Sequence, residues 1–464
     1  MSSSLNGILS VAKTGLLTQQ LALQVTSHNL ANATTEGYSR QRAELVPGIP
    51  VLLPEGLVGT GVRVADITRA RDQLLDGIYR RESALFHGFQ TQYQGLSSVE
   101  SAFGEIGATG LGDSLDAFWD AWSDLANDPT SSAARSVVVS NGQALVDHFR
   151  RIDGTLDTVI GQEVDRLRNS VGLVNDILDQ VAGLNVEIAA VRASGTSAPD
   201  LEDRRDVLLD QLSTYVPIEV TPRENGVVGV SVNGISVVEG VSHQTLSLTS
   251  AAGVWSLTTA GGLTIPISSG RIGGGLETIN DDFSRFRAAL DTVAQGLVEG
   301  VNAVHVNGTN PLGVTGLNFF DDFGDPTTVT AATLTLDAAL VANPQNVAAG
   351  SPDGGGNYQA GANDIALALA DLRTMSSGGI LGTSTVNGAY RDLLADVGLT
   401  ASAARDAADN HSVLLSSAGE RRESVAGVAT DEELVKVVQL QAAYAAASRI
   451  VTVVDEMYQT LLAI

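Results

Sequence analysis

Cysteine is absent from all 464 residues, which excludes disulfides, thiolate metal sites and a cysteine nucleophile. That absence suits a protein working outside the cytosol without oxidative folding, and equally many cytosolic ones. Positive charge is scarce: 27 Lys and Arg stand against 53 Asp and Glu, a net charge of −26. Nucleic acid and anionic membrane both require a cationic face, so neither is an expected partner. No uninterrupted run reaches the roughly 18 apolar residues of a membrane span. The N-terminus also lacks a basic stretch followed by a compact apolar one, so any export is expected to proceed without a cleaved signal peptide.

Charge is scarcest at the two ends. Before Glu36 the only formally charged side chain is Lys13, and from Val437 onward there are only Arg449, Asp455 and Glu456. Solvated helices usually carry Glu and Lys on their polar faces. Here those faces hold small uncharged residues, which predicts burial among several neighbours. Both ends also carry the same spacing. Leu5, Leu9, Ala12, Leu16, Gln19, Leu23, Thr26 and Leu30 alternate in steps of four and three, as do Val437, Leu440, Tyr444, Ala447, Val451, Val454, Tyr458 and Leu461. Such spacing is the seam of a helix packed along another helix. Two ordinary amphipathic helices docked on a globular body would show it as well.

Between the ends the layout is nested. Residues 44–66 are punctuated by Pro and Gly and read as extended or hairpin strands. A long helical region comes next, with breaks near Gly104–Asp113 and Asn127–Thr130. Within it Val164, Leu167, Val171, Val174, Leu178, Val181, Leu184 and Ile188 form a ladder suited to a rod-like bundle. From Val216 the period becomes two, and Asn225-Gly226 and Asn233-Gly234 read as two-residue hairpin turns. Helical period returns from Leu276 through Val304, and again from Asn363 after a Gly-rich stretch containing one short strand candidate, Val329–Leu336. The expected fold is mainly α with inserted β. Terminal coiled-coil helices and an extended linker occupy 1–64 and 426–464, and a discontinuous long-helix bundle occupies 65–215, 272–310 and 359–425. A small antiparallel β-module occupies 216–271, and an irregular Gly-rich segment 311–358.

No catalytic, metal or cofactor constellation emerges. Ser10-Val11-Ala12-Lys13 matches the Ser-x-x-Lys pattern of some acyl-enzymes but lacks its companion motifs. The six His are scattered without zinc spacing. Asp321-Asp322-Phe323-Gly324-Asp325 lacks the alternating ligands of a calcium loop and reads as an acidic turn. Gly273-Gly274-Gly275 has no phosphate-binding Lys beside it. Asp203, Arg204, Arg205 and Asp206 read as a structural ion-pair node.

The segment after the first helix is more specific. Asn29-Leu30-Ala31-Asn32, then Thr35, Gly37 and Tyr38-Ser39-Arg40-Gln41, resembles the signature shared by rod, hook and hook-associated proteins of the flagellar axial family. The Tyr-Ser-Arg-Gln ending is similar to the hook-associated branch, at the hook–filament junction. The far end agrees, in Ser424-Val425-Ala426-Gly427, in Asp431-Glu432-Glu433-Leu434, in Gln441-Ala442-Ala443-Tyr444 and in Val453-Val454-Asp455-Glu456-Met457. Inner segments match too, among them Gly59-Thr60-Gly61-Val62 with Arg69 and Asp72, and Asp203-Arg204-Arg205-Asp206. The β portion is short for the family.

The signature also has a physical reading. Leu30 closes the seam, and Asn29 and Asn32 can bond backbone groups freed at the helix end. Gly37 permits a positive φ, Tyr38 can place its hydroxyl at an interface, and Arg40 can pair with an acidic residue of a neighbouring subunit. The resemblance implies a non-enzymatic structural protein of the extracellular flagellum, exported unfolded and assembled as a ring. Hook protein would lie below, and a second junction protein or filament protein above. A cytosolic chaperone would hold the C-terminal helix before export. A hook or distal-rod subunit is the alternative of the same class; a secreted enzyme on a helical scaffold is the remote one.

Overall fold

The computed structural model describes residues 2–53, 56–104, 110–376 and 378–462. Helix α1 (Ser2–Ala31) opens the chain, succeeded by a ribbon of β1 (Gln41–Pro47), β2 (Val51–Leu53), β3 (Gly56–Val58) and β4 (Val62–Arg69). β1 pairs antiparallel with β4, from Gln41 opposite Arg69 to Pro47 opposite Val62, with a bulge at Glu44/Leu45. Four helices come after the ribbon: α2 (Gln73–Phe103), α3 (Leu111–Asn127), α4 (Ser132–Ala193) and α5 (Pro199–Tyr215). The 62 residues of α4 span about 90 Å at 1.5 Å per residue. Asp72 and Ser131 cap α2 and α4 by accepting from Leu74 N and Ala134 N.

The β-module is two small antiparallel sheets. One holds β5 (Glu219–Pro222), β6 (Val228–Val232), β7 (Ile235–Glu239) and β8 (Ser242–His243) in that order. The other holds β9 (Leu246–Ala251), β10 (Val254–Thr259) and β11 (Thr264–Ile265), with β10 central. The chain then returns through α6 (Gly270–Glu277), a π-helical turn (Thr278–Phe283) and α7 (Ser284–His305). Short α8 (Ala338–Ala342) and α9 (Asp364–Asp371) precede two long helices, α10 (Val386–Ala426) and α11 (Thr430–Leu462). α10 lies along α2, α6 crosses α2, and α11 pairs with α1. The α2–α6 crossing needs glycine: a Cβ on Gly274 would stand 2.1 Å from Gly88 O. Close packing is therefore the use of the Gly273–Gly275 run.

The α4 ladder is buried as its spacing predicts, Leu184 alone being half-buried. The core's aromatic centre gathers Phe118, Trp119 and Trp122 of α3 around Phe319 and Phe320, with Trp122 and Phe319 ring centroids 5.3 Å apart.

Periodicity does not announce how the sheets and the Gly-rich segment are fastened to the helices. Asparagines do this by imitating a peptide group, accepting from a backbone N–H and donating to a backbone C=O. Asn175 of α4 takes Leu246 N at 2.8 Å and gives to Leu246 O at 2.9 Å. Asn185 takes Val228 N at 3.2 Å and gives to Val228 O at 2.9 Å. Asn280, in the π-helical turn, clasps Trp255 N and O at 2.8 Å each. Asn302 of α7 takes Phe319 N at 2.9 Å and Phe320 N at 3.0 Å, and gives to Phe320 O at 2.8 Å. Asn302→Ala should cost about 2–4 kcal/mol in urea unfolding, because it strands buried backbone groups as well as removing their bonds. A loss below about 0.5 kcal/mol would mean that water replaces the amide.

Three expectations need correction. Val329–Leu336 forms no strand. Val329, Ala331, Leu334 and Leu336 are buried, but the backbone is held by turns and a single bridge between Phe320 and Leu336. Its apolar spacing reflects core contact without a partner strand. Asn225-Gly226 is not a two-residue turn, since the β5–β6 register closes at Pro222 opposite Val228. Arg223 N donates to Val227 O at 2.8 Å across that longer loop. Asn233-Gly234 does form the tight turn, with φ of +46° and +78° between Val232 and Ile235. Lastly, the span Val386–Thr460, which takes in α10 and most of α11, contains an 18-residue window apolar enough on average to cross a membrane, little of it buried. Scattered polar residues break the apolar run without making the window polar. The acidic segment Asp321–Asp325 is a set of Asx turns: Asp321, Asp322 and Asp325 accept from Phe323, Gly324 and Thr327 N at 2.9, 3.0 and 2.9 Å.

His305, at the end of α7, is fully buried. Its Nδ1–H donates to Leu317 O at 2.7 Å, and its Nε2 accepts from Ala348 N at 3.1 Å. Both bonds require the neutral ring, and burial pushes its pKa down from 6.5 to about 4. A folded pKa below the unfolded one gives stability that is complete above about pH 6.5 and is lost as pH falls towards about 4. The stability difference between wild type and His305→Gln should therefore shrink by about 3 kcal/mol between pH 7 and 4. A difference independent of pH would contradict the neutral clamp.

Candidate assembly interface

α1 and α11 pair antiparallel. Tyr458 Oη donates to Asn6 Oδ1 at 2.5 Å near one end, and Asn29 Nδ2 donates to Glu433 Oε2 at 3.0 Å near the other. On α1, Leu5 and Ala12 are buried and Leu9, Leu16, Leu23 and Leu30 half-buried. On α11, Val454 is buried, Val437, Leu440, Ala447, Val451 and Tyr458 are half-buried, and Tyr444 is 42% exposed. The Leu461 side chain lies outside those described. One chain's pair therefore covers the seam only partly. Around it Leu17, Val435, Val438, Ile450, Val453 and Met457 are exposed. The ribbon packs on α1, where Thr18 Oγ1 donates to Val62 O at 3.1 Å.

Residues 29–41 join this pair to the helical body. Asn32 caps the end of α1 by donating to His28 O at 3.0 Å and accepts from Thr35 Oγ1 at 3.2 Å. Ala31 and Thr35 are exposed. Gly37 has φ +76°, and a Cβ there would stand 2.1 Å from a Val207 methyl. Asn29 does more than close the helix. Its Oδ1 accepts from Gln41 N at 2.9 Å and Tyr38 Oη at 2.7 Å, while Nδ2 donates to Gln41 O at 2.9 Å. The Tyr38 hydroxyl is thus bonded within the chain. Burial, then the charges of Asp200, Asp203 and Glu433, raises its pKa and keeps it a neutral donor.

The remaining motif residues divide between the two bodies. Ser39 donates its N–H and Oγ–H to Asp203 at 2.9 and 2.6 Å, and Gln41 Nε2 donates to Asp200 Oδ1 at 2.7 Å. Both partners sit at the start of α5. Arg40 turns the other way, Nε to Glu433 Oε1 at 2.8 Å and Nη2 to Glu432 Oε2 at 3.0 Å, on α11. Within the chain, both carboxylates that Arg40 meets belong to α11. Glu433 is 1% exposed. Burial alone would raise its pKa, but hydrogen bonds from Asn29, Lys436 and Arg40 hold it below the ordinary value. Glu433 lies in a segment that carries the resemblance, but nothing in the sequence marks it or Asp200 as a partner of the 29–41 segment, since acidic residues in the first turn of a helix are commonplace.

Beneath the joint lies the ion-pair node. Arg69 meets Glu202, Asp203 and Asp206 at 3.0, 2.7 and 2.7 Å, and Arg71 meets Asp76 and Asp206 at 2.7 and 3.3 Å. Arg80 meets Asp206 and Asp210 at 3.3 and 2.7 Å. Asp203 and Asp206 belong to this node as expected; Arg204 points to solvent.

This arrangement defines a structural subunit built from both ends of its chain, with a polar joint carrying the end pair on a body of long helices. The comparisons with known proteins identify which. Residues 96–320 match the flagellar hook-associated protein FlgK helical domain. Residues 9–38 match the flagella basal body rod protein family, and 423–464 the flagellar basal body rod FlgEFG C-terminal family. Flagellar hook-associated protein 1 of Bacillus subtilis is 30% identical over 98% of this chain and 97% of its own length. That of Salmonella typhimurium is 27% identical over 69% of this chain and 60% of its own length. The flagellar hook junction protein FlgK of Burkholderia pseudomallei shares the fold, with a TM-score of 0.64 at 15% identity over 75% of this chain and all of that one. The chain belongs to the flagellar hook-associated protein 1 family and is a structural component of the flagellum.

Proposed function

We propose that this chain is the subunit that joins hook to filament, exported unfolded and assembled as a ring outside the cell. The observation that carries this is the uncovered apolar surface of the terminal pair. Val435, Val438, Ile450, Val453 and Met457 remain 46–65% exposed on a helix whose only charged side chains from Val437 onward are Arg449, Asp455 and Glu456. Such a surface needs neighbours, and copies of the same pair side by side supply them. In this reading residues 1–64 and 426–464 line an inner tube, the long-helix bundle lies outside them, and the β-module faces out. The seam from Leu5 to Leu23 and from Val437 to Leu461 packs between copies. Asn29, Tyr38, Arg40 and Gln41 hold the end pair at a set angle to the body. Before export, a chaperone groove covers the apolar face of α11. The rod-type matches of the two ends describe parts shared along the axis. The helical-domain match in the middle favours the junction over hook or distal rod.

Deleting the gene, imaging the cells by electron microscopy and assaying the medium for filament protein tests this. Hooks without filaments, with filament subunits lost to the medium, are expected. Absent hooks would move the protein into the rod or hook, and normal filaments would refute a junction role.

A further inference from the structure

In a chain with 53 acidic and 27 basic residues, one cleft runs against the average. It has a volume of about 730 Å³, lies between β4, the starts of α2 and β6, the end of α4, α5 and β5, and is lined by seven arginines and five carboxylates. Carboxylates there are shared. Asp206 serves Arg69, Arg71 and Arg80, and Glu202 serves Arg69 and Arg192.

Arg205 receives none of them directly. It is 4% exposed. Its Nη1 donates to Asn185 Oδ1 at 2.9 Å and Gly226 O at 2.7 Å, both neutral. Its Nε is buried with no acceptor among the described residues, and no carboxylate among them comes within the 4.0 Å of an ion pair. A buried guanidinium without a counter-charge is costly. Burial draws its pKa below the ordinary arginine value; Asp206 and Glu202 oppose that at a distance, while Arg69 and Arg192 reinforce it.

We propose that the cleft binds a small oxyanion of the phosphate or polycarboxylate class, which supplies the counter-charge that Arg205 lacks. Arginine forks suit such ligands because they present paired N–H donors to paired oxygens. Arg223, half-exposed and among the described residues ion-paired only with the surface carboxylate of Glu239, completes the cationic lining. An anion seated there would bridge the ribbon, α5 and the first sheet of the β-module, stiffening the body beside the joint.

The test is calorimetric titration of the full chain with inorganic phosphate and separately with citrate, beside sodium chloride at matched ionic strength. One saturable site is expected, with a thermal midpoint that climbs with the logarithm of ligand concentration and does not respond to chloride. The tighter of the two ligands tells a tetrahedral from a carboxylate preference. Arg205→Met should abolish binding. Should that variant fail to fold, Arg223→Gln serves alone, with an expected loss of about tenfold in affinity. No saturable response in the wild type, or an unchanged one in Arg223→Gln, would overturn the proposal. So would self-association competed by phosphate, which would assign the cleft to acidic side chains of a second copy.

Discussion

A chain ending at Ala429 should fold its body and fail to assemble. α11 packs chiefly on α1 and is tied to the joint through Glu432 and Glu433, so little of the core departs with it. Trp119, Phe149, Phe283 and Tyr390, among the largest buried side chains, all lie elsewhere. Truncation leaves Arg40 without its carboxylates, but it also opens Arg40 to water, so no buried charge is stranded. The main thermal transition should therefore move by no more than about 4 °C. α1, deprived of its partner, should lose helix, because an isolated helix is marginal in water. Filament number should fall to that of cells lacking the gene, by electron microscopy and swimming. Filaments of normal number would mean that the exposed face of α11 is not an assembly surface. A collapsed thermal transition would mean that the terminal pair is part of the core.

The sequence revealed whatever is periodic. The ladder from Val164 to Ile188 places one face of α4 in the core, and Asn233-Gly234 closes its hairpin because both residues accept a positive φ. The seams at the two ends demand helical partners, and within the chain α1 and α11 pair with each other. Asn29 to Gln41 is legible as a unit with a role, but its partners are not. Asp200 and Glu433 lie 159 and 404 residues from the side chains they bind, and nothing local separates a buried glutamate from a solvated one. The asparagine clamps are silent for the same reason, since Asn185 and Asn302 break no spacing and look like polar residues on a helix face. Val329–Leu336 misled in the opposite sense. Alternating apolar residues register burial on one side, and they cannot report whether a second strand lies alongside.

Asp206→Ala should be among the most damaging single substitutions outside the apolar core, costing about 3–5 kcal/mol. Asp206 is 9% exposed. Burial would raise its pKa, but Arg71, Arg69 and Arg80 outweigh that and hold it below the usual carboxylate range. Those arginine side chains are only 14%, 10% and 6% exposed for Arg69, Arg71 and Arg80. Removing the shared carboxylate leaves three buried cations facing one another with Glu202, Asp203, Asp76 and Asp210 as their remaining partners. The comparison that isolates the cause is Asp165→Ala. Its pair with Arg168, one turn further along α4, is exposed on both sides at 71% and 56%, so water screens it and the loss should stay below about 0.5 kcal/mol. Urea unfolding of both variants, with an unchanged dependence on denaturant, measures the contrast. Near-equal losses would mean that water reaches the node as freely as the surface. Because the node holds Ser39 through Asp203, its loss should also loosen the joint. Limited proteolysis in residues 30–45 of Asp206→Ala should then outpace that in wild type even under conditions where both are fully folded.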